Sequence, residues 1–316
     1  MSSQTSFSIE KFHHQLSKQL IDIINIILKK GFSLTLVGGC VRDFLLTGAL
    51  SNDFDFEIRS IGIKKIPDFL KEYEALIKYL TDDLKAIVEP LSFSIYRVTI
   101  NKYEIEISVP RIDKYQTLER PKKHSEFEVT LDPAMDYKYS FLRRDFTINS
   151  MGVLFEKSCE IENMSFIDPF FGEKDLYSKT LKSQNPDFPL DPVRMLRMLR
   201  FKTKFDLSLD SSLSISRFNL QRLTFYYIES EFNKLKDRLF LKSFWSTIDD
   251  YQIAIKEEHN ELSFFKDITI ESGLSLKEVI IHLFKESKIT EEKFLKLTYL
   301  FAWKKKPMLE IVKQIK

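Results

Sequence analysis

Residues 34–48 read LTLVGGCVRDFLLTG, and four residues later the chain continues as DFDFEI over 53–58. The apolar LTLV predicts a short buried strand, the two glycines predict a tight turn, and VRDFLLT predicts a helix that ends at Gly48. The alternation in DFDFEI predicts a second strand. This succession of strand, glycine turn, helix and strand indicates an α/β unit.

The flanking segments extend the same pattern. Apolar residues recur every four positions from Phe12 to Leu28, which predicts one amphipathic helix stopped by Gly31. SFSIYRVTI (92–100) and YEIEISV (103–109) alternate and predict a hairpin. The order of helix, strand, helix, strand, helix and hairpin predicts a mixed sheet with helices.

The remainder of the chain differs in character. Between Pro110 and Ser140 the sequence is polar and basic without periodicity, which predicts a mobile loop or a merely solvated one. From Asp191 onward, apolar residues recur at helical spacing, so the second half is predicted to be an α domain. Residues 190–316 hold 23 Lys and Arg against 18 Asp and Glu, so the basic surplus lies where a phosphate backbone could bind.

Composition excludes several classes of protein. The 316 residues carry a net charge of only +2, which excludes a histone-like field, and no apolar run reaches the ~20 residues of a membrane span. The start MSSQTSFS is not a signal sequence, so we expect a cytoplasmic protein. Cys40 and Cys159 form no disulfide framework or zinc set and are expected to be buried. The sequence does not indicate an oligomeric state.

Gly38 and Gly39 stand together in a chain that has only eight glycines. Without Cβ atoms, the backbone N–H groups at the start of the following helix can approach a triphosphate. Arg42 adds positive charge, and Asp43 completes this nucleotide-binding set. A tight strand-to-helix turn without a ligand is the plain alternative.

Asp53 and Asp55 lie two residues apart, so a strand would place both carboxylates on one face. Two adjacent anions require a cation between them, and hard oxygen ligands suit Mg²⁺. Together with the glycine pair, this pattern predicts a metal-dependent nucleotidyl-transfer site. A pair of metal ions needs a third carboxylate from a neighbouring strand, and we prefer Glu106 to Glu104 for this role. The alternative is that Glu106 is a solvent-facing glutamate on an edge strand.

A second cluster of charges occupies RRDFTINSM, residues 143–151. Arg143 and Arg144 are predicted to contact the triphosphate or ribose. Asp145 is expected to hold a guanidinium in place, and Asn149 to face the sugar. A helix cap with flanking charges is the alternative interpretation.

The third cluster is DPVRMLRMLRF, residues 191–201. Asp191 is placed to cap a helix that carries an arginine at every third position, which alone indicates a solvated basic face. An Asp acceptor with the Arg194 donor also matches the amino group and ring nitrogen of cytosine or adenine, whereas uracil and guanine present a carbonyl to the carboxylate. The pair therefore predicts use of CTP and ATP.

In order, these motifs resemble the class II tRNA nucleotidyltransferase and bacterial poly(A) polymerase family. The residues that carry the resemblance are GGCVRD (38–43), DFD (53–55), RRDFTINSM (143–151), DPFFGEKDL (168–176) and LDPVRMLRMLRF (190–201). Glu119-Arg120 and His124 to Phe127 also resemble the family's segment before the double arginine. Leu190 departs from the pattern, which has glutamate there, and the body and tail are short.

The resemblance implies a polymerase-β-like α/β head followed by an all-α neck and body. The domains would be a catalytic head (1–155), a neck with the base template (156–210) and a shortened RNA-binding body and tail (211–316). Carried over by residue, Asp53 and Asp55 would hold Mg²⁺ in a two-metal site.

The family's nucleotide contacts would fall on Gly39, Arg42 and Arg144. Asp191 and Arg194 would form the base template, with Arg197 and Arg200 behind them. The expected function is addition of C, C and A, or some of them, to the 3′ acceptor end of tRNA.

Two other functions remain open at this point. A poly(A) polymerase would share the fold, although no GRRF-like stretch lies between Val88 and Arg97. A catalytically silent RNA-binding module would need no paired acids, and the intact Asp53 and Asp55 argue against it.

Overall fold

A computed structural model describes residues 6–62, 65–115, 127–237, 239–268 and 272–315. The chain divides into two compact units, one that ends at Asn185 and one that continues from Pro186. We call them the sheet unit and the helical unit. Within the described ranges, no helix is both long and apolar enough to cross a membrane.

Among its described residues, the sheet unit contains ten strands, seven of which form one sheet. In chain order they are β1 (Phe32–Val37), β2 (Phe54–Ser60), β3 (Ile87–Pro90), β4 (Tyr96–Ile100), β5 (Tyr103–Ser108), β6 (Arg111–Tyr115), β7 (Phe127–Leu131), β8 (Gly152–Phe155), β9 (Met164–Ile167) and β10 (Thr180–Leu181). The large sheet has the order β3-β4-β5-β2-β1-β8-β9. Only β2 and β5 pair in parallel, so the predicted mixed sheet and the predicted hairpin of β4 and β5 are confirmed.

Six helices accompany these strands. They are α1 (Ile9–Gln15), α2 (Lys18–Lys29), α3 (Gly39–Thr47), α4 (Ile66–Asp82), α5 (Tyr137–Leu142) and α6 (Gly172–Tyr177). The single helix predicted from Phe12 to Leu28 is wrong, because Leu16 is extended and the Ser17 hydroxyl accepts from the backbone N–H of Leu20. Ser17 thereby caps a second helix, whose apolar residues continue the four-residue spacing of the first.

The predicted loop between Pro110 and Ser140 is also wrong where the structure describes it. Strands β6 and β7 pair antiparallel from Arg111 opposite Leu131 to Tyr115 opposite Phe127. The sequence of β7, FEVTL, does alternate between apolar and polar residues, whereas that of β6, RIDKY, does not, so only one strand of the ribbon carries a sequence signal. The family-like Glu119-Arg120 and His124 lie outside the described residues.

The helical unit is not purely helical. Its helices are α7 (Pro192–Phe205), α8 (Phe225–Leu235), α9 (Leu239–Tyr251), α10 (Leu276–Lys285), α11 (Glu291–Leu300) and α12 (Lys305–Ile315). It also holds the short strand β11 (Ser208–Leu209) and a ten-residue 3₁₀ segment, Glu257–Lys266. The all-α prediction therefore holds for the main elements only.

The boundary predicted after residue 155 lies inside the sheet unit. Strand β9 pairs with β8 from Gly152 opposite Ile167 to Phe155 opposite Met164, which makes it the outer strand of the large sheet. The hairpin partner of a sheet strand cannot belong to a separate neck, so the sheet unit runs to Asn185. Both cysteines are buried, as predicted.

Candidate active site

The paired carboxylates lie where β2 begins. Asp55 is in β2, opposite Glu106 of β5 in the parallel pair, and Asp53 comes just before the strand. Burial and then the neighbouring Asp53 raise the pKa of Asp55 to about 6. The fold therefore holds these acids together at an electrostatic cost that a bound cation would remove.

Glu106 is directed to a different partner. Its Oε1 accepts from Nη2 of Arg97 at 2.7 Å and from Nε at 3.2 Å. In the part of the chain that the structure describes, no three His, Cys, Asp or Glu side chains gather as a metal site. The role of Glu106 as a third carboxylate remains a prediction, with Asp53 and Asp55 as the closer pair.

The glycine turn between β1 and α3 lies against both charged clusters. Gly38 has a φ of 80°, which disfavours any side chain, and an added Cβ would come within 3.1 Å of Nη1 of Arg144. A Cβ on Gly39 would lie 3.8 Å from Oδ2 of Asp53 and 3.5 Å from Nη2 of Arg42. The turn thus lies between an acidic pair and two arginines.

A buried hydrogen-bond network connects this turn to the second motif. Nη1 of Arg42 donates to Oδ1 of Asn149 at 2.5 Å, and its Nε and Nη2 donate to Asp43. Nδ2 of Asn149 donates to Asp145 at 2.9 Å, and Asp145 also accepts from the N–H of Phe146. Asn149 therefore bonds to Arg42 and Asp145 through its two amide atoms, and its predicted contact with the sugar stays a prediction.

Arg143 and Arg144 contact an acid that the sequence reasoning missed. Glu57 of β2 is fully buried, and its Oε1 lies 3.5 Å from Nη2 of Arg144 and 3.8 Å from Nη2 of Arg143. Burial opposes ionisation of Glu57, but the guanidiniums of Arg144, Arg59 and Arg143 outweigh it and lower its pKa. The available signal was spacing, because Asp53, Asp55 and Glu57 follow one another at two-residue steps.

Two further elements support the double-arginine segment. Nε2 of Gln184 donates to the carbonyls of Phe141 and Arg144 and to the Ser150 hydroxyl. The Thr147 hydroxyl donates to Asp175 of α6 at 2.7 Å. Gly172 begins α6, and a Cβ there would come within 2.2 Å of the Thr147 carbonyl oxygen, which only glycine avoids. The fourth motif therefore supports the second and adds no reactive group.

The third motif lies in the helical unit. Oδ1 of Asp191 accepts from the N–H of Val193 at 2.9 Å, while its Oδ2 lies 3.7 Å from Nε of Arg194. Asp191 is thus both the helix cap and the partner of Arg194. The Asp191 carboxylate is close enough to raise the pKa of Tyr227 on α8, after the larger effect of burial.

The arginines of α7 do not form the solvated face that their spacing indicates. Arg194 and Arg200 are buried, and Nε of Arg200 donates to Glu231 of α8 at 2.6 Å. Arg197 is partly exposed, and its guanidinium lies 5.6 Å from the centre of the Phe201 ring. Arg200 therefore connects two helices of the unit.

Comparison with known proteins agrees with this architecture. Residues 34–182 match the family described as the poly A polymerase head domain. The A-adding tRNA nucleotidyltransferase of Aquifex aeolicus is 31% identical over 179 residues, which are 56% of this chain and 19% of that protein. A CCA-adding enzyme of Listeria monocytogenes is 24% identical over 257 residues, 78% of this chain and 58% of the relative.

A solved structure also matches. The CCA-adding enzyme in its apo form II has a TM-score of 0.61 at 18% identity, over 96% of this chain and 72% of that one. At this identity the likeness establishes a shared fold. The resemblance drawn from the motifs and the predicted class, an α/β head followed by helices, are confirmed. This chain spans less than two thirds of both curated relatives.

Proposed function

Because residues 34–182 match the poly A polymerase head-domain family, we propose that the chain transfers CMP, AMP or both from CTP and ATP to the 3′ end of tRNA. The observation that carries the proposal is the convergence on one turn: Gly38 faces Arg144 and Gly39 faces Asp53. The names of the relatives, A-adding tRNA nucleotidyltransferase and CCA-adding enzyme, support tRNA as the acceptor.

Asp53 and Asp55 are the residues that would hold Mg²⁺, in a site for two ions. The fit rests on the donors, because the two carboxylates are hard oxygen ligands and the pKa of Asp55 is raised by burial and by Asp53, a charge repulsion that a small dication would offset. Mg²⁺ held there would supply Lewis acidity, which would favour deprotonation of the attacking 3′ hydroxyl and would offset the negative charge on the leaving pyrophosphate. Glu106 would assist at the neighbouring strand after release from Arg97.

The triphosphate would bind between the glycine turn and the arginines. The amides at the start of α3 approach it without hindrance from a Cβ atom, and Arg42 and Arg144 supply charge. Asn149 keeps Arg42 in position through its 2.5 Å hydrogen bond. Arg143, beside Glu57, adds a further charge to this wall of the site.

Base selection is assigned to Asp191 and Arg194. The ion pair fixes both side chains before a base binds. Asp191 can then accept a hydrogen bond from the amino group of the base while Arg194 donates one to the ring nitrogen. Arg197 is the more exposed neighbour, while Arg200 holds α7 on α8. In this proposal the neck is the start of the helical unit, and the helices after it bind the acceptor arm.

Incorporation of labelled CTP and ATP tests the proposal. The substrates are tRNA transcripts that lack the last three residues or only the last one, together with an oligo(A) primer. We expect a tRNA product of fixed length. Long tails on oligo(A) would support the poly(A) polymerase alternative, and no incorporation on any primer would support the silent RNA-binding module.

A further inference from the structure

A buried cluster of charged side chains adjoins the glycine turn through Arg144, which faces both Gly38 and Glu57. Glu57 is at its centre and is surrounded by Arg59, Arg143 and Arg144. Glu57, Arg59 and the nearby Ser140 are all buried. Neither the sequence motifs nor the proposed reaction uses Glu57.

One oxygen of Glu57 is fixed by hydrogen bonds. Its Oε2 accepts from Nη2 of Arg59 at 2.9 Å and from the Ser140 hydroxyl at 3.3 Å. The same Nη2 of Arg59 also donates to Ser140, and Nη1 donates to the Met135 carbonyl. The guanidinium stacks on Tyr137, 3.8 Å from the ring centre. This anchor prevents rotation of the Glu57 carboxylate.

The other oxygen therefore has a defined direction. Oε1 faces Nη2 of Arg144 at 3.5 Å and Nη2 of Arg143 at 3.8 Å, which are attractions between charges at longer than hydrogen-bond distance. Nη1 of Arg144 faces the turn at Gly38. The Arg144 guanidinium thus has one nitrogen directed to the carboxylate and the other to the phosphate site.

Glu57 is also the acid with the strongest electrostatic effect on Arg144. Asp55 and Asp145 act on the same guanidinium more weakly, and Arg143 repels it. Without Glu57, Arg143 and Arg144 would repel each other without the carboxylate that both of them face. A single fixed carboxylate therefore holds the two guanidiniums together beside the turn.

We propose that Glu57 is a positioning residue that aims Arg144, with Arg143, at the triphosphate of the incoming nucleotide. This inference rests on the proposed function for the identity of the anion. Glu57 acts through the arginines and does not touch the substrate. Its contribution should be the same for CTP and ATP, because the triphosphate is common to both.

Glu57→Gln separates positioning from charge, because it keeps the shape of the side chain and removes the negative charge. If charge alone mattered, the arginines would attract the triphosphate more strongly and KM would fall. If Glu57 positions the arginines, its replacement should instead raise KM. We expect KM for both nucleotides to rise about tenfold or more with a smaller change in kcat. Glu74→Gln, on the exposed face of α4, is the matched control and should leave KM unchanged.

A double-mutant cycle with Arg144→Ala tests whether Glu57 acts through Arg144. In the Arg144→Ala background, Glu57→Gln should raise KM by less than about twofold, since there is no guanidinium left to aim. If Glu57→Gln leaves KM unchanged or lowers it, or if the two effects multiply fully, the inference is overturned.

Two measurements protect the test. If Glu57→Gln is unfolded at the assay temperature, Glu57→Asp takes its place. Aspartate keeps the negative charge but has a shorter side chain, so KM should still exceed that of the wild type. A KM equal to that of the wild type would contradict the positioning role. The dissociation constant for ATP, measured by calorimetry without tRNA, should rise as KM does. A wild type that binds ATP but extends no tRNA would refute the proposed function and leave this comparison intact.

Discussion

Arginine side chains are used differently in the two units. In the sheet unit, Arg144 lies 3.5 Å from Glu57 and faces a glycine turn. In the helical unit, Arg200 donates to Glu231 at 2.6 Å within a buried helix contact. A short buried bond fixes a fold, whereas a longer contact beside the glycine turn leaves charge for a ligand. Arginine spacing alone would not have distinguished these roles.

The largest expected effect on activity follows from replacing either of the paired carboxylates. Asp53→Ala or Asp55→Ala should reduce nucleotide transfer by about a thousandfold or more, because the metal ligands are lost. Thermal unfolding without metal should be unchanged or occur at a higher temperature, since repulsion between the acids is relieved. Asp82→Ala, at the exposed end of α4, should behave like the wild type in both assays. Near-normal transfer by either active-site variant would refute the metal assignment.

Replacement of Arg200 should mainly reduce stability, whereas replacement of Arg144 should mainly reduce activity. Arg200→Met leaves the buried Glu231 with Lys234 and the weaker influence of Arg197, so the free energy of unfolding should fall by about 3 kcal/mol or more. Arg144→Met should instead reduce transfer more than it reduces stability. Denaturant unfolding of both variants, with Arg217→Met as the exposed control, measures the difference. Equal stability losses would remove the contrast between the two units.

Asp191→Ala should change nucleotide choice. The amino group of a cytosine or adenine loses its acceptor, which costs roughly 1–3 kcal/mol, or one to two decades in rate. UTP and GTP should gain relative to CTP and ATP, because no carboxylate repels their carbonyl groups. Competition among all four nucleotides measures this shift. Uniform slowing with selectivity preserved would reduce Asp191 to a helix cap, the role in which it bonds to Val193.

The smallest expected effect is on the pH dependence of the stability of the helical unit. His259 is buried, its Nε2 donates to the Leu223 carbonyl and its Nδ1 accepts from the N–H of Lys256, so the ring is neutral. Burial lowers its pKa below 6.5. The folded state therefore takes up the proton less readily than the unfolded chain, and its stabilising contribution is complete above pH ~6.5 and lost as the pH falls through the folded-state pKa.

Unfolding of the helical unit, followed between about pH 7 and 5, checks this sign. We expect stability to fall with pH in the wild type and to vary less in His259→Gln. His282→Gln, on an exposed helix face, should keep the wild-type slope. An unchanged slope in the His259 variant would assign the pH dependence to other groups.

Much of this organisation could be predicted from local sequence. The strands around the glycine turn and the β4–β5 hairpin follow from short-range patterns, because each buries a regular face. The break at Ser17 was missed because a cap can interrupt an otherwise continuous apolar spacing. The β6–β7 ribbon was missed because β7 (FEVTL) alternates between apolar and polar residues while its partner β6 (RIDKY) does not, so no pair of strands was indicated.

The candidate site shows the same limit. Asp53, Asp55, Arg42 and Arg144 lie within motifs, so their convergence was predictable. Glu57 contacts Arg144, 87 positions away, and Gln184 contacts residues 34 to 43 positions away, which no local pattern records. The hydrogen bond from Arg42 to Asn149 was not predictable for a related reason, since it spans 107 positions.

The central claim is that the turn at Gly38 and Gly39, with its acids and arginines, transfers nucleotides to tRNA. Sequencing of product 3′ ends tests it most directly, after incubation of the purified chain with all four nucleotides, Mg²⁺ and a tRNA transcript that lacks its last three residues. We predict addition of C, C and A, or of an uninterrupted part of that series, followed by a stop, and no addition by Asp55→Ala. An unextended transcript, or tails that contain all four nucleotides, would contradict the account.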